Sequence, residues 1–362
     1  MRTIHLKLAL TLAIGTIVLF AFAGCTGTPA PMGWSGPVPQ GNTIYLASVK
    51  GKLLALDSGN GAVQWQFPAD DRNIGALYSS PIIEGGVLYF GAYDGKFYAV
   101  DQTTRLEKWV KPFEARGPIV GHPAVSGGVV LVGSADGNLY ALDKQTGSEV
   151  WRFKARGGIW GTLAVDSAMV YFGTLGHKFY AVDLNTHQAA WEFDTGAAVA
   201  GGAALVGNAV YFGAFDGNFY ALNTKTGAPV WPEPFHSEKW FWMEPASNGS
   251  TIFIGDVNKK LYALDARTGA LKWPQPVTAS KPFHSAPVLI GSSLAVASSD
   301  GVLHVIDPAT GNSVWQFESG AQVLAPLGVS GNTIYMVTQN GKLHALDISE
   351  KREAWPPVNT GN

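Results

Sequence analysis

The sequence has little cysteine and little charge. Cys25 is the only cysteine among 362 residues, so no disulfide can form within the chain. Charged residues make up 14% of it and the formal net charge is −2, which disfavours nucleic acid as a partner because surfaces that bind it are basic. Beyond residue 24 no segment shows the period of an amphipathic helix. The low charge and the lack of a helical period, together with 44 glycines, indicate a chain of short strands and tight turns.

Most residue groups that carry enzyme chemistry are also absent. No glycine-rich phosphate loop, Ser-His-Asp order or Cys-x-x-Cys pair occurs, and the eight histidines do not cluster at metal-ligand spacing. Asp-Gly pairs such as Asp94-Gly95 and Asp136-Gly137 are what two-residue hairpin turns require, so we do not assign them to catalysis. The sequence therefore predicts no catalytic residue and no metal site.

The N-terminal residues have the pattern of an export signal. Arg2 and Lys7 precede an uncharged and largely apolar run over residues 8–24, an arrangement typical of signal peptides. The run leads into Phe22-Ala23-Gly24-Cys25, which resembles the lipobox of bacterial lipoproteins, although phenylalanine stands where leucine is usual. We expect Cys25 to carry a lipid; the alternatives are an uncleaved anchor or a free thiol.

This pattern also predicts where the mature protein resides. Residues 1–24 would be removed as a lipoprotein signal peptide, and residues 25–32, which are rich in glycine, proline and threonine, would form a flexible tether. The protein would be exported and anchored to a membrane by its lipid. That membrane is either the outer membrane, at its periplasmic face, or the cytoplasmic membrane, at its outer face.

One pattern recurs eight times and occupies nearly all of the remaining chain. Its clearest copy is residues 140–151, Tyr-Ala-Leu-Asp-Lys-Gln-Thr-Gly-Ser-Glu-Val-Trp. The acidic position recurs at steps of 40 to 44 residues, and a tryptophan follows it after eight residues in every copy. The pairs are Asp57 and Trp65, Asp101 and Trp109, Asp143 and Trp151, Asp183 and Trp191, Asn223 and Trp231, Asp265 and Trp273, Asp307 and Trp315, and Asp347 and Trp355. A period near 40 residues is typical of a repeated supersecondary unit.

Each copy divides into four short segments of strand character, separated by turns that contain glycine. In the third copy these segments are residues 119–125, 129–134, 138–142 and 150–154. Eight such units favour a closed ring, because radial closure leaves only short and protected strand edges. We therefore predict an all-β fold, an eight-bladed β-propeller with four antiparallel strands per blade, over residues 33–362.

The repeated residues have structural roles that their chemistry explains. The aspartate carboxylate can accept N–H groups of the turn that follows it, and the glycine four residues later, as at Gly147, suits a positive φ. The tryptophan recurs in every copy, so we expect all eight to dock on the adjacent blade rather than to bind a substrate. Arg105, His187 and Lys351 replace the turn glycine in the second, fourth and eighth copies.

The pattern Tyr-Ala-Leu-Asp-x-x-Thr-Gly-x-x-x-Trp resembles the tryptophan-docking repeat of the pyrroloquinoline-quinone (PQQ) type of β-propeller. Two groups carry that repeat: the quinoprotein dehydrogenases, and lipoproteins similar to the outer-membrane assembly factor BamB. The resemblance covers almost the whole mature chain and implies a propeller for either group. Because one fold hosts many functions, it does not by itself choose between an enzyme and a scaffold.

The dehydrogenase group implies features that this sequence lacks. Its members hold PQQ over the propeller channel beside a disulfide of adjacent cysteines, with a calcium site, a catalytic aspartate and long insertions. Here there is one cysteine and no insertion large enough for such a chamber. We therefore expect no cofactor and no enzyme activity. The resemblance instead implies a non-catalytic envelope lipoprotein that binds protein partners, for example in outer-membrane protein assembly, as a monomer or within a hetero-complex.

Positions at which the copies differ are the best candidates for a binding surface. One such column lies three residues before Pro81, Pro123, Pro245 and Pro287. In chain order it holds Trp34, Tyr78, Val120, Trp160, Ala200, Trp242, His284 and Leu324. Segment 231–243 is the most aromatic part of the chain and adds two residues. The candidate ligand or partner surface is Trp34, Tyr78, Trp160, Trp240, Trp242, Met243 and His284, unless this segment plugs the channel and packs on itself.

Two other functions stay open for the same surface. The aromatic column also suits PQQ or another planar ligand at the channel, as in a quinoprotein-type dehydrogenase or a sensor. A cell-surface module that binds carbohydrate or protein is the third hypothesis.

Overall fold

β-Strands make up all the regular structure of residues 33–361, the part of the chain that the structure, a computed structural model, describes. The expected signal peptide, Cys25 and the tether of residues 25–32 lie outside the described residues. The strands form eight separate four-stranded antiparallel sheets, arranged as the blades of a β-propeller. The prediction of an all-β, eight-bladed propeller is confirmed. No helix within the described range is long and apolar enough to cross a membrane.

Each blade consists of four strands that follow one another in the chain, from the innermost to the outermost. Blades 1 to 4 contain β1 (Val38–Gln40), β2 (Thr43–Ala47), β3 (Leu53–Asp57), β4 (Val63–Phe67); β5 (Ile82–Glu84), β6 (Val87–Gly91), β7 (Lys96–Asp101), β8 (Phe113–Glu114); β9 (Ala124–Ser126), β10 (Val129–Gly133), β11 (Asn138–Asp143), β12 (Glu149–Lys154); and β13 (Ala164–Val165), β14 (Met169–Gly173), β15 (Lys178–Asp183), β16 (Ala189–Asp194). Blades 5 to 8 contain β17 (Ala204–Val206), β18 (Ala209–Gly213), β19 (Asn218–Asn223), β20 (Phe235–His236); β21 (Ala246–Ser247), β22 (Thr251–Gly255), β23 (Lys260–Asp265), β24 (Val277–Thr278); β25 (Val288–Ile290), β26 (Ser293–Ala297), β27 (Val302–Ile306), β28 (Ser313–Glu318); and β29 (Gly328–Ser330), β30 (Thr333–Val337), β31 (Lys342–Asp347), β32 (Arg352–Asn359).

The two middle strands of each blade are buried on both faces, because each blade packs between two neighbours. In blade 3, Val130 and Val132 of β10 join a hydrophobic cluster with blade 2, whereas Leu131 joins the cluster shared with blade 4. Alternation along this strand therefore separates two interblade cores rather than a core from solvent. Each fully buried aliphatic side chain of this kind stabilises the seam by about 1.5 to 3 kcal/mol.

Indole N–H groups link one blade to the next at five of these seams. Trp109 Nε1 donates to the carbonyl oxygen of Lys144 at 3.1 Å, and Lys144 directly follows the repeated aspartate of blade 3. The same bond joins Trp191 to Thr224 (2.8 Å), Trp231 to Ala266 (3.0 Å), Trp273 to Pro308 (3.0 Å) and Trp355 to Ser58 (3.1 Å). At these seams the repeated tryptophan docks on the adjacent blade.

The turn glycine allows the indole of the preceding blade to pack directly against the backbone. At the five bonded seams the ring packs against glycines with φ between +69° and +79°: Gly61, Gly147, Gly227, Gly269 and Gly311. A Cβ on any of them would come within 3.0 Å of the indole. The glycine is therefore required twice, for its positive φ and for the close approach of the ring.

The other three seams lack this glycine and also lack the bond. Arg105, His187 and Lys351 occupy the turn position with φ of 63°, 59° and 53°. Across residues 33–361, no indole hydrogen bond to the next blade comes from the tryptophans that precede these turns, which are Trp65, Trp151 and Trp315. His187 instead stacks on Trp151 with ring centroids 4.6 Å apart. A side chain at this position keeps the indole away from the carbonyl.

The ring closes through side chains and not through a shared strand. All four strands of blade 1 come from the start of the repeated region, and all four strands of blade 8 come from its end. Leu46 and Leu56 of blade 1 share one hydrophobic cluster with Tyr335 and Leu343 of blade 8. Together with the Trp355 bond to Ser58, this makes the closing seam the same in kind as the others.

The repeated aspartate closes the turn that follows it. Asp143 Oδ1 accepts the backbone N–H groups of Gln145 (3.0 Å) and Thr146 (2.8 Å), and also the Thr146 hydroxyl (2.9 Å). The Thr146 hydrogen bonds hold the pKa of the Asp143 carboxyl below its usual range. Because the lowered pKa belongs to the folded state, this contribution to stability is present at neutral pH and is lost as the pH falls through that pKa.

Adding a side chain at a docking glycine should weaken its seam. Gly147→Ala would place a Cβ against the Trp109 ring at a positive φ, and it should lower the free energy of unfolding by about 1 to 3 kcal/mol. Lys351→Gly is the matched control, because it relieves a non-glycine residue with φ of 53° and should cost nothing or stabilise by up to about 1 kcal/mol. Urea unfolding of both variants measures these effects. Equal losses in the two would contradict the role of the glycine.

Candidate functional site

Two sets of loops share one face of the propeller, because antiparallel strands alternate in direction. They are the loops that enter each inner strand and the hairpins between the second and third strands. We call this the mouth face; the turns between the repeated aspartate and tryptophan lie on the opposite, docking face. Ile119 N donates to Ala92 O (3.2 Å) and Ala135 N donates to Pro118 O (2.8 Å). The loop that enters blade 3 is therefore fastened to the hairpins of two adjacent blades.

Burial alternates along the loops that enter the inner strands. In blade 6, Phe241, Met243 and Pro245 are buried, whereas Trp242 and Glu244 are partly exposed. Blades 4, 7 and 8 show the same alternation. These two alternate positions form two layers around the channel, and they are partly exposed in blades 4, 6, 7 and 8. The outer layer is the predicted variable column; the inner layer, two residues later, is Gly36, Ser80, His122, Thr162, Gly202, Glu244, Ala286 and Pro326.

Small residues separate these layers because the backbones of neighbouring blades meet there. A Cβ added to Gly121 would strike the backbone of Gly161, and one added to Gly161 would strike that of Gly201. A Cβ on Gly201 would lie 2.6 Å from the carbonyl oxygen of Trp242. The inner ends of blades 3 to 6 are thus in direct contact, which fixes the positions of the outer-layer side chains.

The first aromatic group of the mouth face lies on blades 1 and 2. Trp34 is 40% exposed and meets Tyr78 edge-on, with ring centroids 4.4 Å apart. Tyr78 in turn lies 5.3 Å from Tyr93, which belongs to the hairpin between β6 and β7. The exposed indole is therefore held in place by two tyrosines.

The second aromatic group is a stack of three rings. Phe215, in the hairpin between β18 and β19, lies between Trp240 and Trp242 at centroid distances of 5.4 and 5.6 Å. The interplanar angles are 27° and 22°, and offset stacking of this kind adds about 0.5 to 1.5 kcal/mol per pair. Phe215 and Tyr93 hold equivalent hairpin positions, and neither was predicted from the sequence.

Six of the seven residues predicted for the surface lie at the channel mouth. Trp34, Tyr78, Trp160, Trp242 and His284 stand in the outer layer, and Trp240 joins the stack on Phe215. Met243 lies elsewhere: it is 4% exposed and belongs to the hydrophobic core around blade 6. Neighbouring residues of an extended segment point to opposite sides. Because Trp242 points towards the channel, Met243 points into the core.

Segment 231–243 runs along the edge of blade 5 before it reaches the mouth. After Trp231 the outer strand is interrupted, and it resumes at Phe235–His236 as β20, which pairs with β19. The outer strands of blades 2 and 6 are interrupted in the same way. The segment is therefore an edge feature shared by three blades, and Trp240 and Trp242 are its contribution to the mouth.

Glu244 of the inner layer is a polar residue that the sequence did not reveal. Burial raises the pKa of its carboxyl to about 7, and a hydrogen bond from Thr162 partly opposes this rise. The two side chains meet over Gly202, where a Cβ would lie 2.9 Å from both Glu244 Oε2 and Thr162 Cβ. Glu244 could have been predicted from its spacing. It lies two residues after Trp242 of the aromatic column, and residues two apart in an extended segment point to the same side.

His122 and His284, the two histidines of the channel layers, are neutral at physiological pH. Burial lowers the pKa of His122 to about 4, and it also lowers the pKa of His284. His304 lies inside blade 7, where Nε2 is 3.1 Å from Ser298 Oγ, and His344 lies inside blade 8, where Nδ1 is 2.7 Å from Glu353 Oε1. In the part of the chain that is described, no three His, Cys, Asp or Glu side chains converge as a metal site.

The sequence matches a family model along most of its length. Residues 23–120, 112–241 and 239–356 match the model described as outer membrane protein assembly factor BamB. The chain belongs to the BamB family. Within this family fold, the residues described above show which side chains the chain places at its mouth. No curated protein sequence matches the chain significantly.

Two solved structures illustrate the likeness in fold. The crystal structure of BamB from Moraxella catarrhalis has a TM-score of 0.72 at 21% identity, covering 86% of this chain and 93% of that one. The computationally designed protein Ika8 has a TM-score of 0.77 at 16% identity, covering 87% of this chain and 96% of that one. At these identities the likeness shows the fold alone.

Glu244→Gln should change how stability depends on pH in this BamB-family chain. The folded state holds the Glu244 proton up to about pH 7, whereas an unfolded glutamate loses it at about pH 4.3, so wild-type stability falls as the pH rises through this window. Glutamine does not ionise, and the variant should gain up to about 3 kcal/mol on the wild type between pH 4.5 and 8.

Urea unfolding at both pH values measures the Glu244→Gln effect. Glu318→Gln is the control, because it makes the same substitution at an exposed position of the outer strand β28, away from the channel. The same pH dependence in wild type and Glu244→Gln would contradict a raised pKa of the Glu244 carboxyl.

Proposed function

We propose that this BamB-family chain is a non-catalytic, lipid-anchored scaffold of the cell envelope that docks a protein partner at its aromatic mouth. Outer-membrane protein assembly is the specific role we infer. The observation that carries the proposal is the contrast between the two faces. The docking face uses its repeated residues to join the blades, whereas the mouth face presents aromatic side chains at positions where the blades differ, with Trp34 40% exposed.

The chemistry of the mouth supports a protein partner. Aromatic residues are enriched at the cores of protein–protein interfaces, where they supply large apolar contact area at low entropic cost. The Trp240–Phe215–Trp242 stack is rigid before any partner binds, which lowers the entropy lost on docking. The same stack disfavours a planar ligand between the two indoles, because Phe215 already contacts both of them.

Photo-crosslinking tests the docking surface. A photoreactive residue at Gln322, which is exposed on the mouth face, should capture an envelope protein in cells, whereas one at Gln145, exposed on the docking face, should not. Trp34→Ala should lower the yield from Gln322 at least fivefold, because it removes the exposed indole. Equal capture at the two positions, or none at Gln322, would contradict a partner site at the mouth.

Cys25→Ser should release the protein from membranes. The thiol is the attachment point that we propose for the lipid, and serine keeps the size of the side chain. Fractionation of cells should move the variant from the membrane pellet to the soluble envelope fraction, while a Thr26→Ser control stays in the pellet. Retention of Cys25→Ser in the pellet would show that something other than this lipid holds the chain.

A further inference from the structure

Glu244 faces the channel without a countercharge. The two layers around the channel contain no lysine or arginine, and Glu244 is their only acidic residue. The ion pairs within residues 33–361 do not include it. The group beside it is the neutral Thr162 hydroxyl. Taking a carboxylate out of water without a positive partner is costly, so this site gains from any cation that reaches it.

Tryptophans occupy the outer layer two residues before Glu244 and before Thr162. Trp242 precedes Glu244 by two residues and shares its partly exposed phase, and Trp160 has the same relation to Thr162. Indole faces attract cations because their π-electrons carry partial negative charge.

The absence of a side chain at Gly202 makes room for Glu244. A Cβ at this position would lie 2.9 Å from Glu244 Oε2, so any larger residue would displace the carboxyl. Because Gly202 belongs to blade 5, the Glu244 side chain of blade 6 can extend across it to Thr162 of blade 4. The carboxyl is thus held over the inner layer instead of against its own blade.

We propose that the channel mouth binds an organic cation, an ammonium or guanidinium group, with Glu244 as counterion and Trp160 and Trp242 as walls. This deepens the proposed function and rests on it in one respect: the cation is a lysine or arginine side chain of the docked partner. A free amine has the same chemistry and is the other source. An anion is disfavoured, because Glu244 is the only charged group of the two layers.

The binding should depend on pH through one group. Glu244 must be ionised to attract the cation, so binding releases its proton and tightens as the pH rises. The titratable groups that share the two layers with it are His122 and His284, and burial keeps both neutral near pH 7. Affinity should therefore rise about tenfold between pH 6 and pH 8, which is the change in the ionised fraction of a group with a pKa of about 7.

Titration of the purified full-length protein tests this inference. The probe is N-acetyl-lysine methylamide, with N-acetyl-norleucine methylamide as the matched neutral ligand, and calorimetry at pH 6 and pH 8 measures affinity and proton release. We expect binding of the lysine compound alone, about tenfold tighter at pH 8. Glu244→Gln should weaken it at least tenfold at pH 8 and abolish the pH dependence.

Two further variants separate charge from folding. Gly202→Ala retains the carboxylate but should displace it and weaken binding at least fivefold, and Trp242→Leu should weaken it by a similar factor through loss of the aromatic wall. Thermal unfolding verifies that each variant is folded. Equal affinity for the two ligands, or unchanged lysine binding in folded Glu244→Gln, would overturn the proposal.

The crosslinking assay at Gln322 then identifies the source of the cation. Loss of partner capture in Glu244→Gln assigns the cation to a side chain of the partner. Capture that persists in Glu244→Gln, together with Glu244-dependent binding of the lysine compound, assigns it to a free amine and leaves the scaffold function standing. Absence of capture in the wild type, with Glu244-dependent binding intact, would remove the proposed partner and keep the cation site.

Discussion

The arrangement of the blades depends on the contact between a tryptophan indole and the backbone of the next blade. Each bonded seam needs three features together: a tryptophan N–H, a carbonyl directly after the repeated aspartate, and a glycine turn that lets the ring approach, as in Trp109, Lys144 and Gly147. Because Trp355 makes the same contact with Ser58, the ring closes without exchange of a strand. The interblade cores then stabilise an arrangement whose spacing the indoles set.

The repeated residues join the blades in the same way around the ring, so residues specific to this protein's binding are expected at the mouth. Since the blades are held on the docking face, the loops on the other face carry side chains that need not repeat. Stacking of Trp240 and Trp242 on Phe215 and the extension of Glu244 across Gly202 each depend on residues from adjacent blades at one place in the ring. The mouth is therefore where one BamB-family propeller can differ from another in what it binds.

The sequence predicted the blades because their signals repeat. Asp143 and Trp151 have seven counterparts each, so the number of blades and strands followed from spacing. Six of the seven candidate surface residues lie at the mouth, and their role in binding stays a prediction. Met243 was misplaced because it follows Trp242 directly in an extended segment, and so it points into the core when Trp242 points to the channel. Glu244 and Phe215 were missed for another reason: each occurs once, and its role depends on a neighbour from another blade. The lipid at Cys25 and the expected absence of enzyme activity stay predictions.

The most direct test of this account is the free energy of unfolding of eight single Trp→Phe variants, one per blade. Phenylalanine keeps a ring but removes the N–H, and the loss of one hydrogen bond costs about 0.5 to 1.5 kcal/mol. Tyrosine hydroxyls also donate to the carbonyl oxygens of Lys144, Thr224 and Ala266, so these oxygens keep a partner in the variants. All eight variants lose some packing because the ring is smaller. We expect the five bonded seams, including the closing one at Trp355, to lose the hydrogen-bond energy as well, so their free energy of unfolding should fall further than that of the Trp65, Trp151 and Trp315 variants. Equal losses at all eight, or larger losses at those three, would contradict this account.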